Sequence, residues 1–388
     1  MMKNELNFNI FEGANPHKLQ NFLDECCKGS WQLNPDTNKI DVQGDFKCSN
    51  KNLLSLKGIP FGVVSGEFDC SQNGMTTLEG CPEQCFSFKC NSNKLTNLLG
   101  GPKKVKASYV CNSNSLTSLE GAPDEVLYFN CSDNKELQSL EGCPPKVDRI
   151  STWGCGLTNL KGISQSVKTL DCSRNKISSL YYCPENLENL QVEENLLTSL
   201  KGVPEKMGYL RCSSNQITTL VGGPQEVLTL SCWSNLLTNL VGAPKKLEYF
   251  DCDLNPLTSL EGCPQIITDS FRFTIPGNYA NSNLSFRNGS WPQPNEINKW
   301  AQILDKEMEP GETQLLLTHP DLQRIFDYEF WRERVDKEKG PALLDLAYLW
   351  DVKKFEETRQ EIEQKLEPLF LKQIKALIKF TPYLKKKV

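Results

Sequence analysis

The stretch LSCWSNLLTNL, residues 230–240, places a tryptophan directly beside a cysteine. Apolar residues alternate through Leu230 and Cys232, as a β-strand that is buried on one side requires. They recur at Leu237, beyond an asparagine, in a segment that can lead to the start of another strand. Because successive side chains of a strand point to opposite faces, we predict that Cys232 faces the core and that Trp233 faces solvent.

The same pattern recurs along the chain at intervals of 20 or 21 residues. The asparagine position is held by Asn73, Asn93, Asn114, Asn134, Cys155, Asn175, Asn195, Asn215, Asn235 and Asn255. Three residues earlier stand Cys70, Cys90, Cys111, Cys131, Thr152, Cys172, Val192, Cys212, Cys232 and Cys252. Two residues before these, every repeat has a large apolar residue, from Phe68 to Phe250. A fixed period of this length predicts a solenoid in which each repeat forms one turn.

Two further features of the repeat indicate how a turn is built. The asparagine carries both a donor and an acceptor on a short side chain, so it can satisfy backbone groups left open where the strand ends. A proline recurs near the end of most repeats, for example Pro204 and Pro224. About twenty residues leave too few for a full helix after the strand, and proline suits an extended return segment.

The repeat V-x-x-L-x-C-x-x-N-x-L-T-x-L-x-G-x-P resembles the leucine-rich repeat, L-x-x-L-x-L-x-x-N/C-x-L, with cysteine in the third leucine position. VLTLSCWSNLL and LEYFDCDLNPL show the match. The resemblance covers roughly residues 40–265 and implies an α+β protein with a parallel sheet on the concave face and an extended convex side. Units of this short length are similar to those of bacterial and bacteriophage proteins, which implies such an origin.

The sequence predicts four segments. Residues 1–39 form an N-terminal cap of one helix, because Leu19, Phe22 and Leu23 recur at helical spacing. Residues 40–264 form the solenoid of about eleven repeats. Residues 265–293, rich in Asn, Ser, Gly and Pro, form an irregular closing segment and linker. Residues 294–388 contain no cysteine and carry amphipathic patterns, which predict a helical C-terminal domain.

Charge and cysteine content restrict the classes of function. A net charge of -5 and a pI near 5.4 argue against nucleic acid as a partner. The chain lacks a signal peptide pattern and an apolar run long enough for a membrane span, so we predict a cytoplasmic location without a membrane partner. In a phage-encoded protein this is the host cytoplasm or the virion. The 17 cysteines are then reduced structural thiols, although the adjacent Cys26 and Cys27 leave a redox role open.

No enzyme, cofactor or metal is predicted. Some bacterial effectors join leucine-rich repeats to a helical ubiquitin-ligase domain with a catalytic cysteine, but no cysteine follows Cys263 here. Phosphate-binding glycine loops, paired-histidine motifs and a G-x-S-x-G elbow are absent from the sequence. The histidines are His17 and His319, which argues against a zinc site.

Strand alternation identifies the residues of the concave face. Its first third is polar, whereas from the fourth repeat onward it gains aromatic and charged residues. The candidate partner-binding residues are Tyr128, Arg149, Trp153, Arg174, Glu193, Tyr209, Arg211, Trp233, Tyr249, Asp251 and Asp253. Tryptophan, tyrosine and arginine are enriched in interface hot spots, so we predict a protein partner of unknown identity.

Other interpretations of this surface stay open. A terminal domain or a second copy of the chain could cover the aromatic residues, or the residues could stack on carbohydrate. Alternatively, the protein is a structural component of a particle such as a phage virion, anchored or assembled into homo-oligomers through its C-terminal helices. Loss of binding with Trp233 would favour the interaction module, and loss with residues 294–388 would favour the structural component.

Overall fold

The computed structural model describes residues 16–257, 261–264, 266–273 and 284–287. The chain divides into two compact units, Met1–Gln216 with Gly222–Pro224 and Ile217–Val221 with Gln225–Val388. Within each unit the repeats contribute short parallel strands, and the described return segments contain no helix. The predicted solenoid with extended return segments is thereby confirmed. The predicted helical domain, residues 294–388, lies outside the described residues.

The first unit contains one helix and ten strands among its described residues. They are α1 (Pro16–Cys26), β1 (Cys27–Leu33), β2 (Ile40–Lys47), β3 (Phe61–Asp69), β4 (Gln84–Lys89), β5 (Lys104–Val110), β6 (Glu125–Asn130), β7 (Lys146–Ser151), β8 (Thr169–Asp171), β9 (Asn189–Gln191) and β10 (Lys206–Arg211). Strands β2 to β10 pair in parallel, each with the next along the chain. This neighbour-to-neighbour order is that of a solenoid.

The second unit continues the same pattern with four described strands. They are β11 (Glu226–Ser231), β12 (Lys246–Asp251), β13 (Ile266–Phe273) and β14 (Leu284–Arg287). β11, β12 and β13 are parallel, whereas β14 pairs antiparallel with β13. The expectation of an irregular segment from residue 265 is wrong for residues 266–273, because Ile267 and Phe271 are buried in one more parallel strand.

Two inward rows of strand side chains contribute to the core of each unit, beside the buried leucines that follow the asparagine. The first row is the large apolar position, where Phe46, Phe68 and Phe88 stack on neighbouring turns with centroid distances of 5.3 and 5.9 Å. The second row is the cysteine position, where Cys131 and Val192 are both 0% exposed. Cysteine therefore serves here as a small apolar core residue.

The predicted cap, residues 1–39, contains a strand in addition to its helix. Helix α1 buries Leu23, and its Phe22 ring lies 5.7 Å from the ring of Phe46 in the first parallel strand. Strand β1 then pairs antiparallel with β2 over its whole length. Gly29 pairs with Gly44 across the two strands. A Cβ atom on Gly29 would lie 1.9 Å from the backbone oxygen of Gln43, so only glycine fits. The helix covers the core, and the strand satisfies the backbone groups of β2.

Candidate interaction surface

The positions of a turn fall into inward and outward sets relative to its cysteine position. Cys232 is 0% exposed and Trp233 is 37% exposed, as the sequence predicts. We use the term sheet face for the outward set, which comprises the residues four, three and one before the cysteine position and the two residues after it. Within a unit these residues form rows about 4.8 Å apart from strand to strand, so neighbouring turns build one surface.

The asparagine row holds this surface in register. In the first unit, Asn195 Oδ1 accepts a hydrogen bond from the backbone N–H of Ile177, one turn earlier, at 2.9 Å. Its Nδ2 donates to the carbonyl oxygens of Cys172, Val192 and Glu193 at 3.0 to 3.2 Å. The asparagine thus joins two turns as well as closing its own. The residue before it adopts a left-handed conformation, as at Glu194 with φ 53°.

Trp153, Arg174 and Glu194 form a linked group on three consecutive turns of the first unit. The guanidinium carbon of Arg174 lies 4.9 Å from the centroid of the Trp153 ring. Arg174 Nε also donates to Glu194 Oε1 at 2.9 Å. Both charged side chains are about half exposed, so the ion pair itself stabilises the fold by less than about 1 kcal/mol. Its main effect is to hold the arginine over the indole ring.

A second linked group surrounds Tyr209. The guanidinium of Arg211 lies 5.7 Å from the Tyr209 ring, and Gln191 Nε2 donates to the Tyr209 hydroxyl at 3.2 Å. Half-burial raises the pKa of Glu193, with further contributions from Asp171 and Glu194, while the charge of Arg211 opposes this rise. The carboxylate of Glu193 therefore lies in a less hydrated environment than an ordinary surface residue.

Tyr128 and Arg149 are neighbours in the strand register, but their environments differ. Tyr128 is half-buried, and its pKa is raised mainly by this burial and secondly by Asp171. Arg149 is exposed and makes no ion pair or aromatic-ring contact within the residues that the structure describes. In the same row Thr169 follows Arg149 on the next strand.

The second unit carries Trp233, Tyr249 and two aspartates, and here the sequence prediction needs correction. Asp251 and Asp253 are only 5% and 6% exposed, so they offer little surface to a partner. The hydroxyl of Tyr249 donates to Asp251 Oδ2 at 3.1 Å, and Arg272 Nη1 lies 3.6 Å from the same oxygen. Burial is also the main cause that raises the pKa of Asp253. Asp251 therefore acts within the unit, by ordering Tyr249 and Arg272, and Asp253 Oδ1 accepts a hydrogen bond from the backbone N–H of Leu254 at 2.9 Å.

Arg272 was not predicted from the sequence. It lies in strand β13, in the segment expected to be irregular, and pairs in register with Asp251 of β12. The side-chain hydrogen bond with Tyr249 is the main cause that raises its pKa. The alternation of Phe271 and Phe273 around it is the sequence signal for this strand, but the segment lacks the cysteine and asparagine of the repeat.

The interpretation of the first third of the face as purely polar also needs correction. Phe86, four residues before Cys90, is 51% exposed, and Leu127 has the equivalent position in the fourth repeat and is 56% exposed. In strand β4 the buried residues Cys85 and Phe88 are three positions apart. Two successive residues therefore point away from the core. Strict alternation, on which the sequence prediction rested, places only one of them there.

No group of three potential metal ligands occurs among the described residues. Burial raises the pKa of the Cys26 thiol to about 11 and that of Cys85 to about 12. Burial is also the main cause that raises the pKa of Cys27. These thiols are poor nucleophiles at neutral pH, because the thiolate is the reactive form. Within the described residues, no helix is long and apolar enough to cross a membrane.

No family model matches the chain, and no curated protein matches it. Among solved structures, the chain is similar to YopM, a leucine-rich effector protein from Yersinia pestis, at 18% identity and a TM-score of 0.44, covering 70% of this chain and 80% of that one. It is also similar to the leucine-rich-repeat domain of a Shigella effector, at 20% identity and a TM-score of 0.30, covering 65% and 81%. The solenoid described above is a property of this chain's own strands and turns.

Proposed function

We propose that this protein is a non-enzymatic interaction module that binds a protein partner on the concave face of the repeats, which is its sheet face. The observation that carries the proposal is the group of Trp153, Arg174 and Glu194 in the first unit. Here a half-buried aromatic ring lies against an exposed arginine, and a neighbouring carboxylate holds the arginine in place. Such residues bury a large area on binding and keep a polar contact, as interface hot spots do.

The charge pattern of this face favours protein over nucleic acid. Arg149, Arg174 and Arg211 alternate with acidic residues of neighbouring turns, including Asp171 and Glu193. A phosphate backbone would meet these carboxylates unfavourably, whereas a protein surface carries charges of both signs. The second unit contributes Trp233 and Tyr249 to the proposed binding residues. The proposal includes a bacterial or phage origin and a cytoplasmic location, because the repeats resemble the short repeats of bacterial and bacteriophage proteins.

The test is affinity capture from the native source under reducing conditions. The intact protein is compared with a Trp153→Ala, Trp233→Ala variant and with a Tyr181→Ala, Tyr182→Ala variant. The last is a matched control, because Tyr181 and Tyr182 are exposed aromatic residues on a return segment, away from the sheet face. We expect a partner that is lost with the two tryptophans and kept by the control.

Two results would contradict the proposal. A partner kept by the tryptophan variant but lost on truncation after residue 293 would place the function in the C-terminal region, as a structural component of a particle requires. Binding of a glycan in place of a protein would assign the aromatic residues to carbohydrate stacking. Circular dichroism of each variant shows whether the repeats remain folded.

A further inference from the structure

Arg149 differs from the other arginines whose side chains the structure describes. Arg174 contacts Trp153 and Glu194, Arg211 lies over Tyr209, and Arg272 approaches Asp251. Arg149 is exposed on the sheet face of the first unit and has neither an acidic nor an aromatic partner among the described residues. A guanidinium has five donors, and no side chain of the described residues engages that of Arg149, so it is suited to an incoming carboxylate, which it can bind in a bidentate manner.

An apolar row lies beside this arginine. Leu127 directly precedes Tyr128, which pairs in register with Arg149 on the next strand. Phe86 holds the equivalent position two strands earlier, because Ser87, Ser108 and Tyr128 are aligned across β4, β5 and β6. Ala107, between them, adds a small apolar side chain. We call Phe86, Ala107 and Leu127 the apolar row. More than half of the Phe86 and Leu127 side chains is accessible to solvent.

We infer that the partner presents an acidic side chain to Arg149 and apolar side chains to the apolar row. This inference rests on the proposed function, since it assigns the chemistry of a segment bound to the sheet face. Charge complementarity selects the occupant: Lys47 and Lys89 are paired with carboxylates, whereas Arg149 forms no ion pair within the described residues. Its row neighbours Tyr128 and Thr169 are neutral. The apolar row excludes water on the side next to the pair, which strengthens it.

The strand spacing gives the partner segment a rough geometry. Arg149 is one strand from Leu127 and three strands from Phe86, or about 5 Å and about 14 Å across the sheet. A segment that crosses the strands therefore needs an apolar residue close to its acidic residue and a second apolar residue farther on. Residues two apart in an extended peptide, or three to four apart in a helix, meet the shorter distance.

A display library of short random-sequence peptides tests the inference on the full chain. The baits are the intact protein, an Arg149→Glu variant, a Phe86→Ser, Leu127→Ser variant and a Trp153→Ala variant. Lys176→Glu is the matched charge control, since Lys176 is an exposed residue that follows the asparagine of its turn, outside the sheet face. We expect the intact protein to enrich peptides that carry Asp or Glu near apolar residues.

The variants separate the inference from the proposed function. Arg149→Glu should weaken the selected peptides by about tenfold or more and shift new selections toward Lys or Arg, while Lys176→Glu should change neither. The Phe86→Ser, Leu127→Ser variant should lose the apolar preference and keep the acidic one. Peptides that depend on Trp153 but show no acidic preference would overturn the inference and leave the proposed function standing. If no selected peptide depends on Trp153 or Arg149, both are wrong.

Discussion

Tyr109 has a buried hydroxyl group with no hydrogen-bond partner among the described residues. It occupies the large apolar position of its turn, between the rings of Phe88 and Phe129 at 4.9 and 5.6 Å. Burial raises the pKa of this phenol well above its ordinary value, so the group stays protonated. A buried donor without a partner loses its hydrogen bonds to water, which costs about 1–3 kcal/mol.

We therefore predict that Tyr109→Phe raises the free energy of unfolding, by about 1 kcal/mol. Phenylalanine already fills this position on both neighbouring turns. The measurement is urea unfolding of both proteins. Tyr249→Phe is the matched control with the opposite expected sign, because the Tyr249 hydroxyl donates to Asp251. A destabilised Tyr109→Phe variant would mean that the hydroxyl has a partner, such as a buried water molecule.

At the scale of a turn, the asparagine row is the main polar connection between successive repeats. The turn that begins with Cys131 shows how the backbone is satisfied where the asparagine is missing from the next turn. This turn has one extra residue between Asn134 and Leu137, and the next turn has Cys155 in place of asparagine. The backbone N–H of Leu137 accordingly donates to the Asn134 carbonyl at 3.0 Å instead of to an asparagine side chain. An insertion in one turn thus compensates for a substitution in the next.

The element-scale prediction concerns a turn without such compensation. Asn195→Ala removes the acceptor for the Ile177 N–H and the donor to three carbonyl groups in a buried region. We expect a loss of about 2–4 kcal/mol in the free energy of unfolding. Hydrogen exchange should show the change first in the turns on either side. Asn91→Ala, on the sheet face, is the control and should change stability little, since among the described residues its side chain hydrogen-bonds to Ser92 alone. Equal losses would contradict the prediction.

At the scale of the whole molecule, the cysteine row makes stability depend on pH in the alkaline range. Burial raises the pKa of thiols such as Cys90 and Cys131 in the first unit and Cys252 in the second. In the unfolded chain a thiol has a pKa of about 8.5. Between the two values the folded state holds more protons than the unfolded state. The stabilising contribution is therefore complete below about pH 8.5 and is lost progressively as the pH rises toward the folded pKa.

We predict that the free energy of unfolding falls between about pH 8 and pH 10, by up to about 1.4 kcal/mol per pH unit for each such thiol. Urea unfolding across this range, in the presence of a phosphine reductant, measures the slope. Burial also raises the pKa of Cys212, and valine already occupies the equivalent position at Val192. Cys212→Val should therefore reduce the slope without a large change at pH 7. An unchanged slope would mean that this thiol does not titrate on unfolding.

The sequence by itself determined the repeat, its inward and outward positions and the absence of helices between strands. It could do so because these depend on the period of about twenty residues and on local alternation, both visible in a single chain. Cys232 and Trp233 show this, since successive side chains of a strand point to opposite faces.

Only the tertiary structure decided which outward residues are available. Asp251 is outward in the pattern, yet Tyr249 and Arg272 cover it, because burial of a side chain depends on neighbours from turns distant in sequence. Phe86 and Ser87 both lie between the inward residues of their strand, yet Phe86 is 51% exposed and Ser87 only 8%, because the packing of neighbouring turns differs around them. Neighbouring turns also decide whether an arginine has a partner: Arg174 contacts Trp153 and Glu194, whereas Arg149 has no partner among the described residues. A sequence pattern states the direction of a side chain, but packing determines what the side chain can bind.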